Sequence, residues 1–539
     1  MRRSDPASAL SRAAQLARDE GQAIVLVALL LTTLLGFVGL VVDVAWFQLN
    51  LVRVQRAADA GALAGSVYLP GNVPGARTAA KAATAQNGFT DTGVAGQIVV
   101  TADPDTVNTS LLNVTVTAPV RTWFMRMFGV NSISSSRNAR AEFILPVPMG
   151  SPQNYYGIAK LCDNNSCDVV DGAAATGPLA SQGFWGAVIT KGGNRQNGDL
   201  YSTYYNGNPT LNTQYDANGY SYEIDFPTGT TNGTVYLFDP MFCATGIGQT
   251  GPAAGQQLGT GDHWIGSGGV PVTTEFKLWD MNGTPFSTAD DILVTTDGGR
   301  FTNNLAVDKS VQYGGDQNYG GGQNGGAGLT DCHDDQYHNR WWQMATGLPD
   351  GSYRLQVMTS SANNNNVNAE NMFGIEATAA GGTPHVFGVS RMCTYDNLPV
   401  NTSQIFYLAQ IPAVHAGKTL EIKVHDLGDV RGDAYIHVLM PTTANYQQAT
   451  FSWNVNGGAW NNGATQIKVA SGGSNLYDNS LITIDIVLPT NYAAPQPATE
   501  TLGAGWWKIQ YDLSNGGGGN DTATWSVNIR GNPVHLITP

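Results

Sequence analysis

Hydrophobic and polar positions divide the chain into three stretches of different period. The first holds one uncharged run, Ala23 to Val42, AIVLVALLLTTLLGFVGLVV. As a helix its twenty residues rise roughly 30 Å, the thickness of a bilayer's hydrocarbon core. A helix apolar on every side has no face to offer water, unlike the amphipathic helices of soluble domains. Trp46 and Phe47 follow where aromatic rings favour the membrane interface. Asp43 closes the run, at a depth that water still reaches; at the bilayer centre a carboxylate would cost about 3 kcal/mol. Ala23, Leu30, Gly36, Val42, Asp43 and Trp46 thus mark a membrane anchor along its length. A cleaved signal peptide would have a shorter apolar core, about 7–15 residues.

In the second stretch the helical pattern continues without Pro through Gln48–Ser66 and breaks at Pro70, Gly71 and Pro74. A second Ala-rich helix is predicted over 75–87. Strands are predicted at 97–101 and 111–120, the latter alternating Val114 and Val116 with Thr. A short helix over 122–128 and a strand over 133–145 complete a small α+β module. After Pro146 the chain turns to Gly, Asn, Tyr and Trp. Short strand-like runs recur there between turn signals, for example at 234–238, 274–279, 353–358, 420–424, 434–439, 482–488 and 506–511. This pattern predicts a mainly β region of β-sandwich or jelly-roll type. Gly351–Val357 (GSYRLQV) resembles Gly505–Tyr511 (GWWKIQY), and Gly233–Pro240 resembles Lys418–Asp426, which suggests two related sandwiches divided near residue 395. Gly314–Gly328, GGDQNYGGGQNGGAG, reads as a low-complexity loop. The expected organisation is a cytoplasmic N-terminus (1–22), a transmembrane helix (23–47), an α+β module (48–145) and two β domains (146–395 and 396–539).

Two segments carry a family resemblance: DEGQAIVLVALLLTTLLGFVGLVVDVAWFQLNLVRVQRAADAGALAGS and VTVTAPVRTWFMRMFGVNSISSSRNARAEF. Together they resemble the N-terminal module of TadE/TadG-like proteins of the tight-adherence (Flp) pilus system. In that pattern Gly21-Gln22 opens the membrane helix, Asp43 lies near its outer end, and Gln55-Arg56-Ala57-Ala58-Asp59-Ala60 forms the Ala-rich turn that follows. The resemblance implies pilus assembly or surface attachment, with other pilus-assembly proteins as partners. Two features depart from it. Leu26 stands where pseudopilins carry Glu, five residues after the cleavage-site Gly, and the DxSxS motif of an appended von Willebrand factor A domain is missing.

Charge refines this picture. Arg2, Arg3, Arg12 and Arg18 precede the apolar run while Arg53 and Arg56 follow it, which predicts a cytoplasmic N-terminus and an extracytoplasmic bulk. The net charge of −14 argues against a nucleic-acid partner. Five cysteines, Cys162, Cys167, Cys243, Cys332 and Cys393, all lie beyond the anchor and its module. Cys162 and Cys167 bracket a turn-rich loop that a disulfide would close. The acidic loop His425–Asp433 offers Asp426, Asp429 and Asp433 as oxygen ligands for calcium, the one cofactor suggested; a solvated turn explains the same residues. Asp290, Asp291 and Asp297 form a second acidic group. Cys332, His333 and His338 collect zinc-type donors, although a spacing of five suits no common helix face.

The sequences HExxH, GxSxG and GxxxxGK[ST] are absent, and the GxGxxG at Gly246–Gly251 lacks a βαβ setting, so no enzyme is expected. Adjacent tryptophans, Trp341-Trp342 and Trp506-Trp507, should point to opposite faces of a strand, one of each pair away from the core. Exposed aromatics would suit a glycan, a cell-wall ligand or a protein partner. The expected function is a membrane-anchored pilus or adhesion protein in contact with membrane lipid. A carbohydrate-active enzyme and a ligand-free structural spacer are the alternatives.

Overall fold

The structure is a computed structural model. It describes residues 6–539 except 70–71, 107–109, 144–145, 158–159, 164–165, 170–182, 190–194, 205–209, 240–262, 265–273, 284–287, 289, 295–305, 308–339, 360–368, 399–402, 473, 531–533 and 538–539. The chain forms two units: residues 1–145 with 532–539, and residues 146–531.

In the first unit a single helix, α1 (Pro6–Ser66), carries the apolar run and continues well past it. The side chains from Ile24 to Val42 are almost all exposed, with Leu30 at 69%. Beyond Asp43 the same helix becomes one wall of a core. Val54, Ala58 and Ala62 pack with Ala76 and Ala80 of α2 (Val73–Gln86) and with the sheet residues Leu112, Val114, Val116, Ala139 and Ala141. Small residues allow this close approach. A Cβ on Gly65 would stand 2.4 Å from Leu112 Cδ2 and 2.7 Å from the Ala76 carbonyl oxygen. Asn72 starts α2 by accepting the Gly75 N–H at 2.8 Å, with Pro74 in the first turn, where its missing N–H costs nothing.

The sheet is antiparallel: β1 (Val99–Pro104), β2 (Leu111–Arg121), β3 (Ser132–Phe143) and the chain's last strand, Val534–Ile537. That last strand pairs with β3 from Arg140 opposite Ile537 to Phe143 opposite Val534. The first unit is therefore closed by residues from both ends of the chain, and the β region is an insertion within it. The helices and strands predicted for this module are all present, each within a few residues of its expected bounds; 122–128 forms only a 3-10 turn, Met125–Phe128.

Among its described residues the second unit is mainly β, and its strand pairings are antiparallel. Strand Gly351–Thr359 lies between Tyr220–Phe226 and Thr274–Asp280. Strand Thr231–Asp239 lies between Arg340–Leu348 and Ala369–Ala380. Strands adjacent in sequence thus join different ladders, which is how a chain builds two facing layers. Aromatic rings fill the space between them: Phe373 meets Tyr222 at 5.6 Å and Phe276 at 5.7 Å, both edge-on. This is the β-sandwich type of architecture the alternation predicts.

The longest strand, Trp506–Ile529, is the spine of the region after residue 390. Its first part pairs with Ser403–Gln410 and Val430–Pro441, its last part with Arg391–Leu398 and Thr419–Leu427. Arg391–Leu398 runs straight across the expected boundary near 395 and pairs with Trp185–Ile189 on one side and the spine on the other.

The two faces of the spine explain a departure from the expected tryptophan pattern. Trp506 and Trp507 are both buried. Trp506 packs edge-on against His385 and Tyr407, and Trp507 donates its indole N–H to the Tyr492 hydroxyl at 3.0 Å. Strand alternation does send them to opposite faces, but both faces are covered. The side chains of Trp264 and Trp342, and all of residues 314–328, lie outside the described part of the structure.

Candidate functional site

Three places carry chemistry: the C-terminal end of the apolar run, the acidic loop after residue 425, and a pocket in the β unit.

At the helix end, Asp43 is buried, with only 4% of its surface exposed. Its Oδ1 accepts the Trp123 N–H at 2.7 Å, and its Oδ2 accepts the N–H groups of Phe124 and Met125 at 3.0 and 2.7 Å. These donors open the 3-10 turn at the tip of the β2–β3 hairpin, so the carboxylate satisfies backbone groups that the turn itself leaves unpaired. Trp46, one turn further along α1, meets Trp123 edge-on at 6.5 Å, and Arg53 lies 5.8 Å from the Trp46 ring centre. The other anchor residues differ in kind. Leu30, Gly36 and Val42 are exposed on the helix, nothing lies within 4 Å of where a Gly36 Cβ would stand, and the Ala23 side chain is outside the described set. Asp43 is thus a latch between helix and sheet. The sequence marked its depth but hid its partners, which are main-chain groups 80–82 residues away.

Replacing Asp43 with Leu removes the acceptor for all three N–H groups. The amides of residues 123–125 are expected to exchange with deuterium about tenfold faster or more, with Asp43→Asn in between because its amide oxygen can still accept. Unchanged protection in the Leu variant would show that the carboxylate does not hold the tip.

In the acidic loop the three expected ligands part company. Asp426 is buried at a left-handed position, φ 61°, and accepts the Asn479 N–H. Burial and the neighbouring Asp429 push its carboxyl well above the usual carboxylate range. Asp429 is exposed and accepts from the Asn475 amide. Asp433 instead ion-pairs with Lys468 at 3.1 Å, which holds its carboxyl below the usual range. Among the described residues no group of three or more His, Cys, Asp or Glu side chains is arranged to hold a metal ion.

What organises this loop is Asp521, which sequence reading passed over. It accepts the N–H groups of Gly428 at 3.0 Å and Asp429 at 3.1 Å, and the Tyr511 hydroxyl at 2.5 Å. Directly across the ladder sits Asp396, fully buried, with Oδ1 unpartnered among the described residues. Burial first, and Asp521 second, push the Asp396 carboxyl well above the usual carboxylate range. His425, opposite Thr524 on the spine, is buried and donates its Nε2–H to the Arg195 carbonyl, 2.9 Å away. Burial pushes its pKa down to about 4.

Cys162 and Cys167 occupy opposed positions of a short hairpin, Lys160–Asp163 with Ser166–Val169; their side chains lie outside the described set. Asp291 pairs with Arg354, while Asp297, Cys332, His333 and His338 are outside the described residues.

The pocket has a volume of 530 Å³ and lies in the second unit, lined by Tyr201, Gln214, Arg391, Lys423, Ser526 and Asn528 among others. Arg391 is its organising cation. It stacks 3.9 Å from the Tyr201 ring centre, pairs with Asp216, and donates to the Gly219 carbonyl at 2.6 Å. Lys423 is steadied by Glu421 at 2.8 Å. The walls mix hydroxyl, amide and cationic groups with the side chains of Leu200, Val389 and Leu481, so a ligand would meet polar and apolar surface together.

Comparison with known proteins bears on the first unit. The family described as "Putative Flp pilus-assembly TadE/G-like" matches residues 21–85, which span the apolar run, the rest of α1 and α2. The sheet segment that carries the second part of the resemblance lies beyond that match. No curated protein matches the chain. Among solved structures, the N-terminal CBM22-1-CBM22-2 tandem domain from Paenibacillus barcinonensis Xyn10C aligns with 80% of this chain and 91% of its own at 10% identity, with a TM-score of 0.15. Similarity that loose carries no argument about fold or ligand.

Proposed function

We propose that this chain is a single-pass membrane protein of Flp-type pilus assembly or surface adhesion, with its N-terminus in the cytoplasm and its β unit outside. It binds a protein partner or a glycan through that unit and catalyses no reaction. The observation that carries this reading is the TadE/G-like match over residues 21–85, which includes an apolar run whose side chains are almost all exposed. Such a run is stable only in lipid, because leaving it in water forfeits the transfer free energy of a whole span. The pocket around Arg391 and Lys423 is the surface on which a partner or sugar hydroxyls would be read.

Proteolysis of intact cells tests the topology. A protease added outside should digest the β unit while cytosolic markers survive, and the protected remnant should stay in the membrane after alkaline carbonate extraction. A β unit shielded together with the markers would overturn the reading. Release of the full chain by carbonate would overturn the anchor.

A further inference from the structure

The β2–β3 hairpin ends in a run of large apolar side chains left largely exposed. Trp123, Phe124, Met127, Phe128 and Val130 are all exposed, Met127 at 81% and Phe128 at 86%. A soluble module would not place such a patch on a tight turn without a use for it. Its position tells what covers it. Asp43 pins the tip to α1 through three backbone N–H groups, and Trp123 leans on Trp46. The Phe124 ring lies against the bare backbone of α1 at Gly39, where a Cβ would come within 2.6 Å of Phe124 Cδ1. Gly39 is three residues, about 4.5 Å, before Val42 at the end of the apolar run. The tip is therefore held at the depth where that run leaves the hydrocarbon. Arg121 and Arg126, both exposed, flank it with positive charge of the kind that suits lipid phosphates.

We infer that the tip Trp123–Val130 is a second membrane contact, inserting Met127 and Phe128 among the headgroups and upper acyl chains beside α1. The inference rests on the reading that α1 crosses the bilayer. A lipid surface is the occupant because the patch touches α1 at Gly39 and Trp46, beside the exposed Leu40, Val41 and Val42 of the apolar run, and its charged neighbours Arg121 and Arg126 are basic. With two contacts instead of one, the helix cannot rotate freely about its axis, and the module above it is held in one orientation to the membrane.

The test uses the full-length chain in vesicles of phosphatidylethanolamine and phosphatidylglycerol. The photoreactive residue p-benzoylphenylalanine replaces, one at a time, Phe128 at the tip, Leu34 within the apolar run, and Ala82 on α2. Ala82 is exposed and lies between Ala80 and Thr84, which meet α1 at Gly61, roughly 27 Å of helix beyond Asp43. After irradiation, lipid adducts are expected at position 128 at a yield close to that at 34, and about tenfold above that at 82. Adducts at 34 with none at 128 would overturn the proposal and leave the anchor standing. A second protein chain captured at 128 in place of lipid would also overturn it. No lipid adduct at 34 would bring down the anchor reading itself, and the proposal with it.

Discussion

Trp525→Ala is expected to cost about 3–5 kcal/mol, a large part of the 5–15 kcal/mol that separates a typical folded domain from its unfolded chain. Trp525 is fully buried on the spine strand, between Met392 on one ladder and Val424 on the other. Its ring meets Phe406 edge-on at 5.7 Å, and its indole N–H donates to the Thr394 hydroxyl at 3.2 Å. Truncation leaves a ring-sized cavity where four strands converge, and these cannot collapse inward without breaking their registers. Trp525→Phe keeps the edge contact and loses only the N–H donor and part of the volume, so it should cost less than half as much. Chemical denaturation of the full chain in detergent, followed by near-ultraviolet circular dichroism, reads both. An Ala variant with a wild-type midpoint would mean that the spine is not the structural centre described above.

The second large effect depends on pH. Glu376 lies buried in the strand Ala369–Ala380, and burial pushes its carboxyl from the ordinary 4.5 up to about 7. Between those values the folded chain holds a proton that the unfolded chain has released. Stability from this group is therefore complete below pH 4.5 and is lost as pH rises through 7, about 3 kcal/mol in all. Glu376→Gln removes the charge that must otherwise be buried. At pH 8 the variant should be more stable than the parent by about that amount, and at pH 4 the two should coincide. The difference between the two curves isolates Glu376 from its neighbours. His425 works the other way: its depressed pKa costs stability as pH falls from 6.5 toward 4, so the Gln variant should also show a plainer loss on the acid side. Parallel curves for parent and variant from pH 4 to 8 would refute the buried-carboxyl account.

The elements most legible in the sequence were those whose cause is local. The apolar run, the Ala-rich continuation of α1 and the alternation of β2 each follow from a periodicity visible over ten or twenty residues, and the structure has all three. The family resemblance was legible for the same reason, since residues 21–85 hold one uninterrupted helical pattern to Ser66 and then most of a short capped helix. The acidic loop shows the limit. Asp426, Asp429 and Asp433 are neighbours in sequence, but a left-handed turn at Asp426 and the pull of Lys468 on Asp433 send them to different partners. Asp521, which holds that loop, lies 92 residues beyond Asp429 and carries no motif.

What the sequence settles by itself is the solvent each stretch prefers: a run too greasy for water, and strands with one side to hide. Which strand lies beside which is decided only in three dimensions. Val534–Ile537 completes a sheet begun at residue 99, and Asp43 finds its donors at the tip of a distant hairpin. The first pairing joins backbone groups on both sides and the second ends on three backbone N–H groups, which every residue but proline carries alike, so no letter in the sequence announces either partner.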